Sequence, residues 1–354
     1  MISARIRKQF PAGRDSAAFA LDVELNTEGG VTVLFGPSGS GKTLTLDSIA
    51  GFVKPDAGRI LLFDQILFDA DARVNIPPQR RRCGYVFQNY ALFPHMTLRE
   101  NLEFAAASRP KTDRRRSVHG MLERFRLTGE AGRRPHEVSG GQKQRCSIAR
   151  ALIGAPKVLL LDEPARGLDA PLRAELYALL RQVSSEFGAP ILLVTHDLDE
   201  CLELGDSMLV MSAGRVVQSG APPAVVGRPA SVDVARLFGI YNLFPAEVRA
   251  LDPGRGTSVI RFEDTYFAGP YLPGHLIGDR VTVYVRPGAL RAVPVDGCVG
   301  PNRLACDLAR SIEKADAVRL DFANGIAVDV PRGSYDPSVR RWAIEFPAEA
   351  IRVL

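Results

Sequence analysis

The stretch Val31-Thr32-Val33-Leu34-Phe35-Gly36-Pro37-Ser38-Gly39-Ser40-Gly41-Lys42-Thr43 decides the fold of this chain. Its first five residues are apolar or β-branched, which is typical of a buried strand, and apolar residues at helical spacing follow it up to Gly51. The eight residues between them fit the pattern G-x-x-x-x-G-K-[ST] in full, in the strand–loop–helix context that confirms it. The sequence therefore predicts a loop that binds the phosphates of a nucleotide through Gly36, Pro37, Ser38, Gly39, Ser40, Gly41, Lys42 and Thr43.

Each residue type in this loop has a physical reason. Glycines let backbone N–H groups turn inward around a phosphate without Cβ clashes, and the positive N-terminal end of the next helix attracts the same anion. Lys42 is expected to reach the β- and γ-phosphates, and the Thr43 hydroxyl is expected to bind Mg²⁺. The alternative is a glycine-rich turn with no ligand, and the lysine and threonine argue against it.

Two carboxylates, Asp162 and Glu163, directly follow the apolar run Val158–Leu161. Because ligands of open α/β sheets bind at the carboxyl ends of strands, we expect both side chains beside the phosphate loop. Asp162 is predicted to bind Mg²⁺, directly or through water, and Glu163 is predicted to be the general base that polarises the attacking water. The alternative is an acidic turn without a catalytic role.

Strand and helix patterns alternate over residues 1–235. A helical pattern over Leu172–Phe187 is followed by the apolar strand Ile191–Val194, and a charge-rich helical region covers about residues 89–155. Strands that alternate with helices favour an α/β fold with a mostly parallel sheet. We therefore expect one α/β domain over residues 1–235, with a helical subdomain at about 89–155.

The composition changes near residue 236, and we expect a linker at 236–241 followed by a small all-β, barrel-type domain at 242–354. Short β-branched segments separated by Gly, Pro and Asp predict strands at Thr257–Phe262, Arg280–Val285, Ala317–Phe322 and Trp342–Phe346. A faint internal repeat at an offset of about 60 residues pairs Asn242 with Asn302, Phe262 with Phe322 and Pro287 with Pro347. Two copies of one β unit are therefore expected.

The composition is that of an ordinary globular protein, with 46% hydrophobic and 24% charged residues and a net charge of +5. Five widely spaced cysteines, Cys298 among them, argue against a disulfide framework or a zinc site. No apolar run approaches the roughly 20 residues that cross a bilayer, and the N-terminus lacks a signal-peptide core. The runs Arg80–Arg82 and Arg114–Arg116 are expected to be solvated surfaces, with nucleic acid or anionic lipid as the alternative contact.

A second motif lies between the phosphate loop and the acidic strand end: Val138-Ser139-Gly140-Gly141-Gln142-Lys143-Gln144-Arg145. It resembles the signature motif of the ATP-binding-cassette (ABC) ATPase family, and few sequences show these three motifs in this order. The resemblance covers about residues 1–235. It implies a P-loop NTPase of the ABC type, with a RecA-like core and a helical subdomain, and implies ATP and Mg²⁺ as cofactors.

The resemblance also implies roles for further residues. The signature residues would contact the nucleotide bound by a second copy of the chain, and Ser139 can cap a helix whose dipole favours phosphate. Gln88, after Tyr85-Val86-Phe87, matches the glutamine that ligates Mg²⁺ and reports on nucleotide state. His196 matches the histidine that contacts the γ-phosphate. The implied nucleotide-binding residues outside the phosphate loop are Ser139, Gly140, Gly141, Gln142 and Asp169.

Three features depart from the pattern of the family. Val138 stands where leucine is usual. Arg166 and Gly167 stand where the family commonly has Ser-Ala, in the segment Ala165–Asp169 that we call the D-loop. The aromatic residue that stacks on adenine is not evident, although Phe10 is a candidate and Phe19 is expected to be a core strand residue.

The implied partners are a second copy of the chain in a head-to-tail dimer with ATP at the interface, integral membrane permease subunits and, indirectly, a solute-binding protein. No nucleic acid is expected, and the implied location is the cytoplasmic face of the plasma membrane. The segment Ile76–His95 looks most like importer ATPases for molybdate and related oxyanions; importers of sulfate, iron(III), sugars or polyamines are the alternatives. A soluble ABC protein acting on nucleic acid and an oxyanion-binding regulator with an inert cassette are further alternatives.

The β domain resembles the TOBE/MOP-like accessory module of such importers. It would either bind oxyanion and regulate transport or serve as a structural or dimerisation module. The sequence leaves both open.

Overall fold

A computed structural model describes residues 1–13, 17–107, 109–295 and 300–354, which form two compact units, Met1–Arg228 and Pro229–Leu354. Cys298 lies outside the described residues. The chain divides between Arg228 and Pro229, before the helix Val232–Phe238, whereas the sequence placed the linker at 236–241, which overlaps the last turn of this helix. Among the described residues, no helix combines the length and the hydropathy needed to cross a membrane.

The first unit contains the phosphate loop and alternates strands with helices. Its elements are β1 (Ile2–Phe10), β2 (Phe19–Thr27), β3 (Val31–Phe35), α1 (Lys42–Ala50), β4 (Ala57–Leu62), β5 (Gln65–Asp69), β6 (Val74–Asn75), β7 (Cys83–Val86), α2 (Leu98–Ala105), α3 (Lys111–Arg124), α4 (Gly140–Ile153), β8 (Val158–Asp162), α5 (Ala170–Phe187), β9 (Ile191–Thr195), α6 (Leu198–Leu204), β10 (Ser207–Ser212), β11 (Arg215–Gly220) and α7 (Pro222–Gly227).

The central sheet of this unit has six strands in the order β11-β10-β3-β9-β8-β7. All its neighbouring strands are parallel except β10 and β11, which confirms the predicted mostly parallel sheet. Every residue of β3, β8 and β9 is buried, as continuous apolar runs in a sheet covered on both faces should be. The register places Phe35 beside Thr195, and Asp162 beside Val194, so the carboxyl ends of these three strands lie at one edge.

A second, antiparallel sheet of five strands, in the order β2-β1-β4-β5-β6, belongs to the same unit. Side chains alternate along β1 and β2, with one face buried and the other exposed. The buried faces of both sheets and of α1 share one apolar core, which includes Ile6, Leu46, Ile49, Leu160 and Leu192. This core fixes the start of α1, and therefore the phosphate loop, against the sheet.

Arg81 does not lie on a solvated surface, so the expectation for the run Arg80–Arg82 is wrong at this residue. Its side chain is fully buried. The guanidinium donates to the carbonyls of Ser48 and Ile49 at 2.8 Å, to the carbonyl of Ile76 at 2.7 Å and to Asn75 Oδ1 at 2.9 Å. A cation at the carbonyl end of α1 complements the helix dipole, which explains why this charge is tolerated inside.

The predicted helical region contains α2, α3 and α4. A capping box starts α2, in which Thr97 and Glu100 each bond the backbone of the other. Asn101 on α2 is fully buried and holds the preceding loop by accepting from the Phe93 N–H at 2.8 Å and donating to the Phe93 and Thr97 carbonyls. The loop after Gln88 is therefore fixed to the start of this region.

Within residues 229–295 and 300–354, the second unit has one short α-helix, ten strands and three short 3-10 helices. The α-helix and the strands are α8 (Val232–Phe238), β12 (Asn242–Asp252), β13 (Thr257–Phe262), β14 (Thr265–Pro270), β15 (Arg280–Val285), β16 (Arg291–Pro294), β17 (Arg303–Glu313), β18 (Ala317–Phe322), β19 (Ala327–Pro331), β20 (Arg341–Glu345) and β21 (Arg352–Val353).

The strands form two antiparallel sheets of five, ordered β14-β13-β12-β15-β21 and β16-β20-β17-β18-β19. Corresponding strands follow the repeat predicted from the sequence, since Thr257–Phe262 and Ala317–Phe322 lie 60 residues apart. The last strand of each copy pairs with the other copy: β16 joins β20, and β21 joins β15. One core that includes Phe244, Phe346 and Trp342 is shared by both sheets. The two copies thus exchange strands.

The repeated asparagines stabilise this exchange. Asn242 donates to the carbonyl of Ala327 and accepts from its N–H, both at 2.8 Å. Asn302 makes the same pair of bonds with Ala268, at 2.8 and 2.7 Å. Each side chain therefore holds the third strand of the opposite copy, which gives a physical reason for finding asparagine at both positions.

Candidate functional site

The phosphate loop connects β3 to α1 and has no room for larger side chains at its key glycines. A Cβ at Gly36 would lie 2.3 Å from the Met211 carbonyl oxygen. Gly41 has φ +99°, a conformation that favours glycine, and a Cβ there would lie 2.6 Å from Leu21 Cδ1. Lys42 Nζ donates to the carbonyls of Gly36 and Pro37 at 2.7 and 2.9 Å. The lysine therefore lies along the loop that it was predicted to serve.

Two polar groups of this loop are buried and suited to an anion. Lys42 is 5% exposed; burial lowers its pKa, against the opposing influence of Glu163 and Asp162. The hydroxyl of Ser40 is buried without a hydrogen-bond partner. Buried polar groups are normally satisfied, so an unpaired hydroxyl in a glycine cradle at a helix N-terminus fits a phosphate ligand.

Thr43 and Asp162 come together although they are far apart in the sequence. Thr43 Oγ1 donates to Asp162 Oδ1 at 3.1 Å and lies 3.2 Å from Oδ2. Burial raises the pKa of Asp162, and the Thr43 hydrogen bond opposes this shift. A carboxylate and a hydroxyl are ligands that Mg²⁺ accepts, and the ion usually completes its shell with water and substrate phosphates. The residues present therefore fit Mg²⁺.

Glu163 has a strained backbone and a carboxylate with several partners. Its φ is +45°, which is uncommon for a residue with a side chain, and such strain is concentrated at functional sites. Its backbone N–H donates to Val194 at 2.9 Å, which ties it to the end of β9. His196, just after β9, has Nδ1 at 3.2 Å from Glu163 Oε1. The predicted base, Glu163, and the predicted histidine, His196, therefore lie within hydrogen-bond distance of each other.

Gln88, just after β7, reaches the D-loop beside the carboxylate of Glu163. Its amide nitrogen lies 3.5 Å from Glu163 Oε2, whereas in the opposite orientation its oxygen accepts from Arg166 Nε at 3.3 Å and also from Nη1. We assign the second orientation, because a guanidinium can only donate. Arg166 also donates to Glu163 Oε2 at 3.1 Å. The sequence singled out Arg166 only as a departure from the family pattern, and no spacing rule would have predicted these contacts.

The signature residues begin α4. Ser139 is its N-cap, accepting from the Gln142 N–H at 3.3 Å, while the Gln142 side chain accepts from the Ser139 N–H at 2.9 Å. Helix N-termini with such caps favour anions. Gly140 follows in the first turn, and a Cβ on Gly141 would lie 3.0 Å from Leu172 Cδ2. Ser139 therefore caps the helix as the sequence predicted.

Asp169 is the N-cap of α5, where its Oδ1 accepts from the Leu172 N–H at 3.0 Å. Within the described residues, no hydrogen bond joins the signature residues or Asp169 to the phosphate loop of the same chain. The structure therefore groups the predicted site residues into two clusters. We call them the phosphate-loop cluster, with Lys42, Thr43, Asp162, Glu163, Gln88 and His196, and the signature cluster, with Ser139, Gly140, Gly141, Gln142 and Asp169.

Two further features of the site were missed by sequence reasoning. The Tyr85 hydroxyl donates to Asp47 Oδ1 of α1 at 2.9 Å, which joins β7 to the phosphate-loop helix; burial raises the pKa of Asp47. Tyr85 also packs with Phe87 and Phe52 at ring distances of 4.3 and 5.4 Å. Alternating aromatic residues just before Gln88 were the available sequence pattern, but their partners are far away in the chain.

The candidate adenine platform lies at the start of β2. Phe10 and Phe19 form a tilted ring pair at 6.3 Å. Phe19 packs against the apolar core, as expected, and a Cβ on Gly41 would lie 3.3 Å from its ring. Both rings are partly buried, and Phe19 is next to the phosphate loop.

Comparison with known proteins agrees with this geometry. The model of the ABC transporter family matches residues 21–166. The molybdenum import ATP-binding protein ModC of Paramagnetospirillum magneticum is 39% identical over 87% of this chain and 85% of its own length. The spermidine/putrescine import ATP-binding protein PotA of Ruegeria pomeroyi is 35% identical over 100% of this chain and 96% of its own. The sulfate/thiosulfate import ATP-binding protein CysA 2 of Agrobacterium fabrum is 41% identical over 88% of this chain and 87% of its own.

A solved structure shows the same fold in the first unit. It is a dimeric ATP-binding cassette in a post-hydrolysis state bound to ADP and Pi, with a TM-score of 0.55 and 29% identity, covering 63% of this chain and 99% of its own. Identities of this size over nearly the whole chain of several relatives show common descent rather than a shared motif. The chain therefore belongs to the ATP-binding-cassette ATPases of ABC transporters.

Proposed function

We propose that this chain is the ATP-hydrolysing subunit of an importer, acting as a head-to-tail homodimer on the cytoplasmic face of the plasma membrane. The observation that carries the proposal is the phosphate-loop cluster. The ends of β3, β7, β8 and β9 bring Lys42, Glu163 and His196 together with the Thr43–Asp162 pair, and Gln88 joins them through Arg166. A cation, a carboxylate base and an orienting histidine beside a glycine cradle match the needs of phosphoryl transfer to water.

The chemistry follows from these side chains. Glu163 accepts a proton as one O–H bond of the attacking water breaks; the water oxygen bonds to the γ-phosphorus while the bond from that phosphorus to the bridging oxygen of ADP breaks. Lys42 and the loop N–H groups stabilise negative charge on the transferring group. His196 and Gln88 orient the carboxylate and the water.

Mg²⁺ would be held by Thr43 and Asp162, with Gln88 as a further ligand, and would neutralise charge on the β- and γ-phosphates. Among the described residues, no group of three or more His, Cys, Asp and Glu forms a metal cluster. This agrees with an ion that depends on its substrate for most of its ligands. Phe10 is proposed as the residue that stacks on adenine.

The signature cluster supports the dimer. It is a capped helix N-terminus with two glycines, suited to a γ-phosphate, yet it makes no hydrogen bond with the phosphate loop of its own chain within the described residues. A second copy arranged head to tail would place Ser139, Gly140, Gly141 and Gln142 over the nucleotide. The D-loop, with Asp169, would lie at the same interface.

The test is Glu163→Gln in the full-length protein, with Glu123→Gln as the matched control. Glu123 is a glutamate on α3 that is 60% exposed and pairs with His119 on its own helix. We expect Glu163→Gln to abolish phosphate release at saturating ATP and Mg²⁺ and to produce an ATP-dependent dimer in light scattering. Glu123→Gln should behave as wild type. Unchanged turnover in Glu163→Gln would refute the assigned base.

A permease partner is proposed to bind beside Gln88. Phe52 is 51% exposed and stacks on Phe87 at 5.8 Å, and Phe104, 57% exposed, packs edge-on against Phe93 at 4.8 Å. Exposed aromatic side chains are typical of interfaces. Phe52→Ser together with Phe104→Ser should weaken co-purification with the membrane subunits and leave ATP hydrolysis by the isolated chain within twofold; undiminished co-purification would contradict this surface.

We propose molybdate or a related oxyanion as the transported substrate, with sulfate, iron(III), sugars and polyamines as the alternatives. The support is the segment Ile76–His95 and the similarity to a molybdenum import protein, although relatives named for sulfate and spermidine are equally similar. The second unit is proposed to be a TOBE/MOP-like accessory module. In ATPase assays of the co-purified complex with its solute-binding protein, molybdate should stimulate ATP hydrolysis. If only sulfate, ferric iron or spermidine stimulated it, molybdate would be rejected as the substrate in favour of that compound.

A further inference from the structure

Arg166 occupies an unusual position in the D-loop, beside the carboxylate proposed to act as the base. The chain turns sharply between them: the Arg166 N–H donates to the Glu163 carbonyl at 3.2 Å, and Pro164 lies at the second position of this turn, where its fixed φ is favourable. The turn brings Arg166 Nη1 to 3.1 Å from Glu163 Oε2. The contact is therefore built into the local backbone.

A second contact links Arg166 to a different segment. With its amide oxygen toward the D-loop, Gln88 accepts from Arg166 Nε at 3.3 Å and from Nη1. The planar guanidinium can donate to a carboxylate and an amide together, which a lysine ammonium or a serine hydroxyl at this position could not reproduce. Arg166 thus connects the D-loop, the end of β8 and the loop after β7.

The carboxylate of Glu163 is engaged on both oxygens. Oε2 accepts from Arg166, and Oε1 lies 3.2 Å from His196 Nδ1. A base must offer a lone pair to the water that it deprotonates, and the geometry must place that water within hydrogen-bond reach. An oxygen held by a guanidinium offers less to the water, so the ion pair competes with proton transfer.

We infer that Arg166 is a restraining residue for hydrolysis: it holds Glu163 in an ion pair and Gln88 through hydrogen bonds, and this arrangement must open before Glu163 accepts the proton. The inference rests on the proposed role of Glu163. Because the D-loop is expected at the dimer interface, its displacement on dimer closure would release the carboxylate. Arg166 would thereby link hydrolysis to the position of the second copy.

The expected size of the effect is modest. Glu163 is 14% exposed at its side chain, whereas Arg166 is 59% exposed, so solvent screens the pair. We expect Arg166→Ser to raise the kcat of ATP hydrolysis by the isolated full-length protein about two- to fivefold, which corresponds to about 0.4–1 kcal/mol at 1.4 kcal/mol per tenfold. The KM for ATP should change less than about twofold, because the contact is expected to affect proton transfer rather than nucleotide binding.

The experiment compares three variants by steady-state phosphate release with Mg²⁺ and ATP. Arg166→Ser removes the cation, and Arg166→Lys keeps the charge and should give a kcat between wild type and Arg166→Ser. Arg116→Ser is the control, because Arg116 pairs with Asp113 at 2.9 Å, also three residues apart, on the exposed face of α3. The ratio of kcat between Arg166→Ser and wild type should fall as salt is added.

Unchanged or lower kcat in Arg166→Ser would overturn the inference, and so would an equal rise in Arg166→Lys, since the charge would then not be the cause. Glu163→Gln separates this result from the proposed function. Retained turnover in Glu163→Gln would overturn both. Lost turnover in Glu163→Gln with no rise in Arg166→Ser would overturn the inference alone.

Discussion

The two units of this protein differ in how completely their buried polar side chains are hydrogen-bonded. In the first unit, Ser40 Oγ, Gln144 Nε2, Tyr177 Oη and Glu200 Oε1 are buried without a hydrogen-bond partner. Within residues 229–295 and 300–354, no buried side-chain nitrogen or oxygen is left in this way. There, the side-chain amides of Asn242 and Asn302 form hydrogen bonds with the backbone of the opposite copy.

This difference has a cost in the free energy of folding of the first unit. Unsatisfied buried groups and strained backbone cost free energy, and proteins retain them mainly where function requires them. Positive φ does not separate the units, since Glu163 in the first and Asn302 in the second both adopt it. The β-rich unit instead has repeated strands, a shared core and satisfied amides.

The largest effect should come from the phosphate loop itself. Lys42→Ala removes the buried cation that contacts the loop carbonyls, and we expect kcat/KM for ATP to fall about 100- to 1,000-fold, as when a preorganised charge-stabilising donor is lost. Lys314→Ala is the control in the β-rich unit, where Lys314 pairs with Asp329 at 2.9 Å. Comparable losses in both variants would break the proposed division of labour.

Arg81 sharpens the comparison, because it is a buried charge of the first unit that is fully satisfied. Arg81→Leu leaves the carbonyls of Ser48, Ile49 and Ile76 without donors, and we expect the free energy of unfolding of this unit to fall by about 3 kcal/mol or more. Urea unfolding measures this free energy, with Arg80→Leu as the control because Arg80 is the neighbouring residue and is exposed. A loss below 1 kcal/mol would mean that this cation is not needed.

Glu200 should make the stability of the first unit depend on pH. Burial raises its pKa to about 7, opposed by a Thr195 hydrogen bond, from an unfolded value near 4.5. The folded form therefore favours the protonated acid: this stabilisation is complete below about pH 4.5 and is lost as the pH rises through 7. Relative to wild type, Glu200→Gln should gain on the order of 2–3 kcal/mol between pH 5 and pH 8.

The matched control for this titration is Glu203→Gln on the same helix, whose side chain is 48% exposed and paired with Arg181. It should show no comparable change between the two pH values in urea unfolding. A flat difference between Glu200→Gln and wild type would show that Glu200 does not titrate there.

The smallest effects are expected in the β-rich unit. Asn242→Ala should destabilise it by about 2 kcal/mol, because Asn242 is buried and leaves the Ala327 peptide unpaired. Asn302→Gly should cost about 1 kcal/mol, since glycine keeps the positive φ of this position and water can replace the bonds of the partly exposed Asn302 to Ala268 and Phe346. Thermal unfolding measures both. A larger loss at Asn302 than at Asn242 would contradict this account of the exchange.

Much of the cassette could be predicted from the sequence, because local patterns encode local structure. The apolar runs before Gly36 and Asp162 indicated the strands, Gly51 indicated the end of α1, and Ser139 indicated a helix cap; each lies where the sequence placed it. The sequence placed the boundary at 236–241, overlapping the end of the short helix Val232–Phe238, because it gave no signal for this helix; the structure divides the chain before it, at Pro229.

By itself, the sequence determined the phosphate loop, the alternation of strands and helices in the cassette, the repeat and the family, because these depend on residues that are near one another or at fixed spacing. Only the tertiary structure decided that Arg81 is buried and that Arg166 binds Glu163 and Gln88. It also decided that β16 pairs with β20 and β21 with β15, so that the last strand of each copy joins the sheet of the other. The physical reason is that such contacts depend on strand register and turn geometry, which bring distant side chains to one point and leave no periodic pattern in the chain.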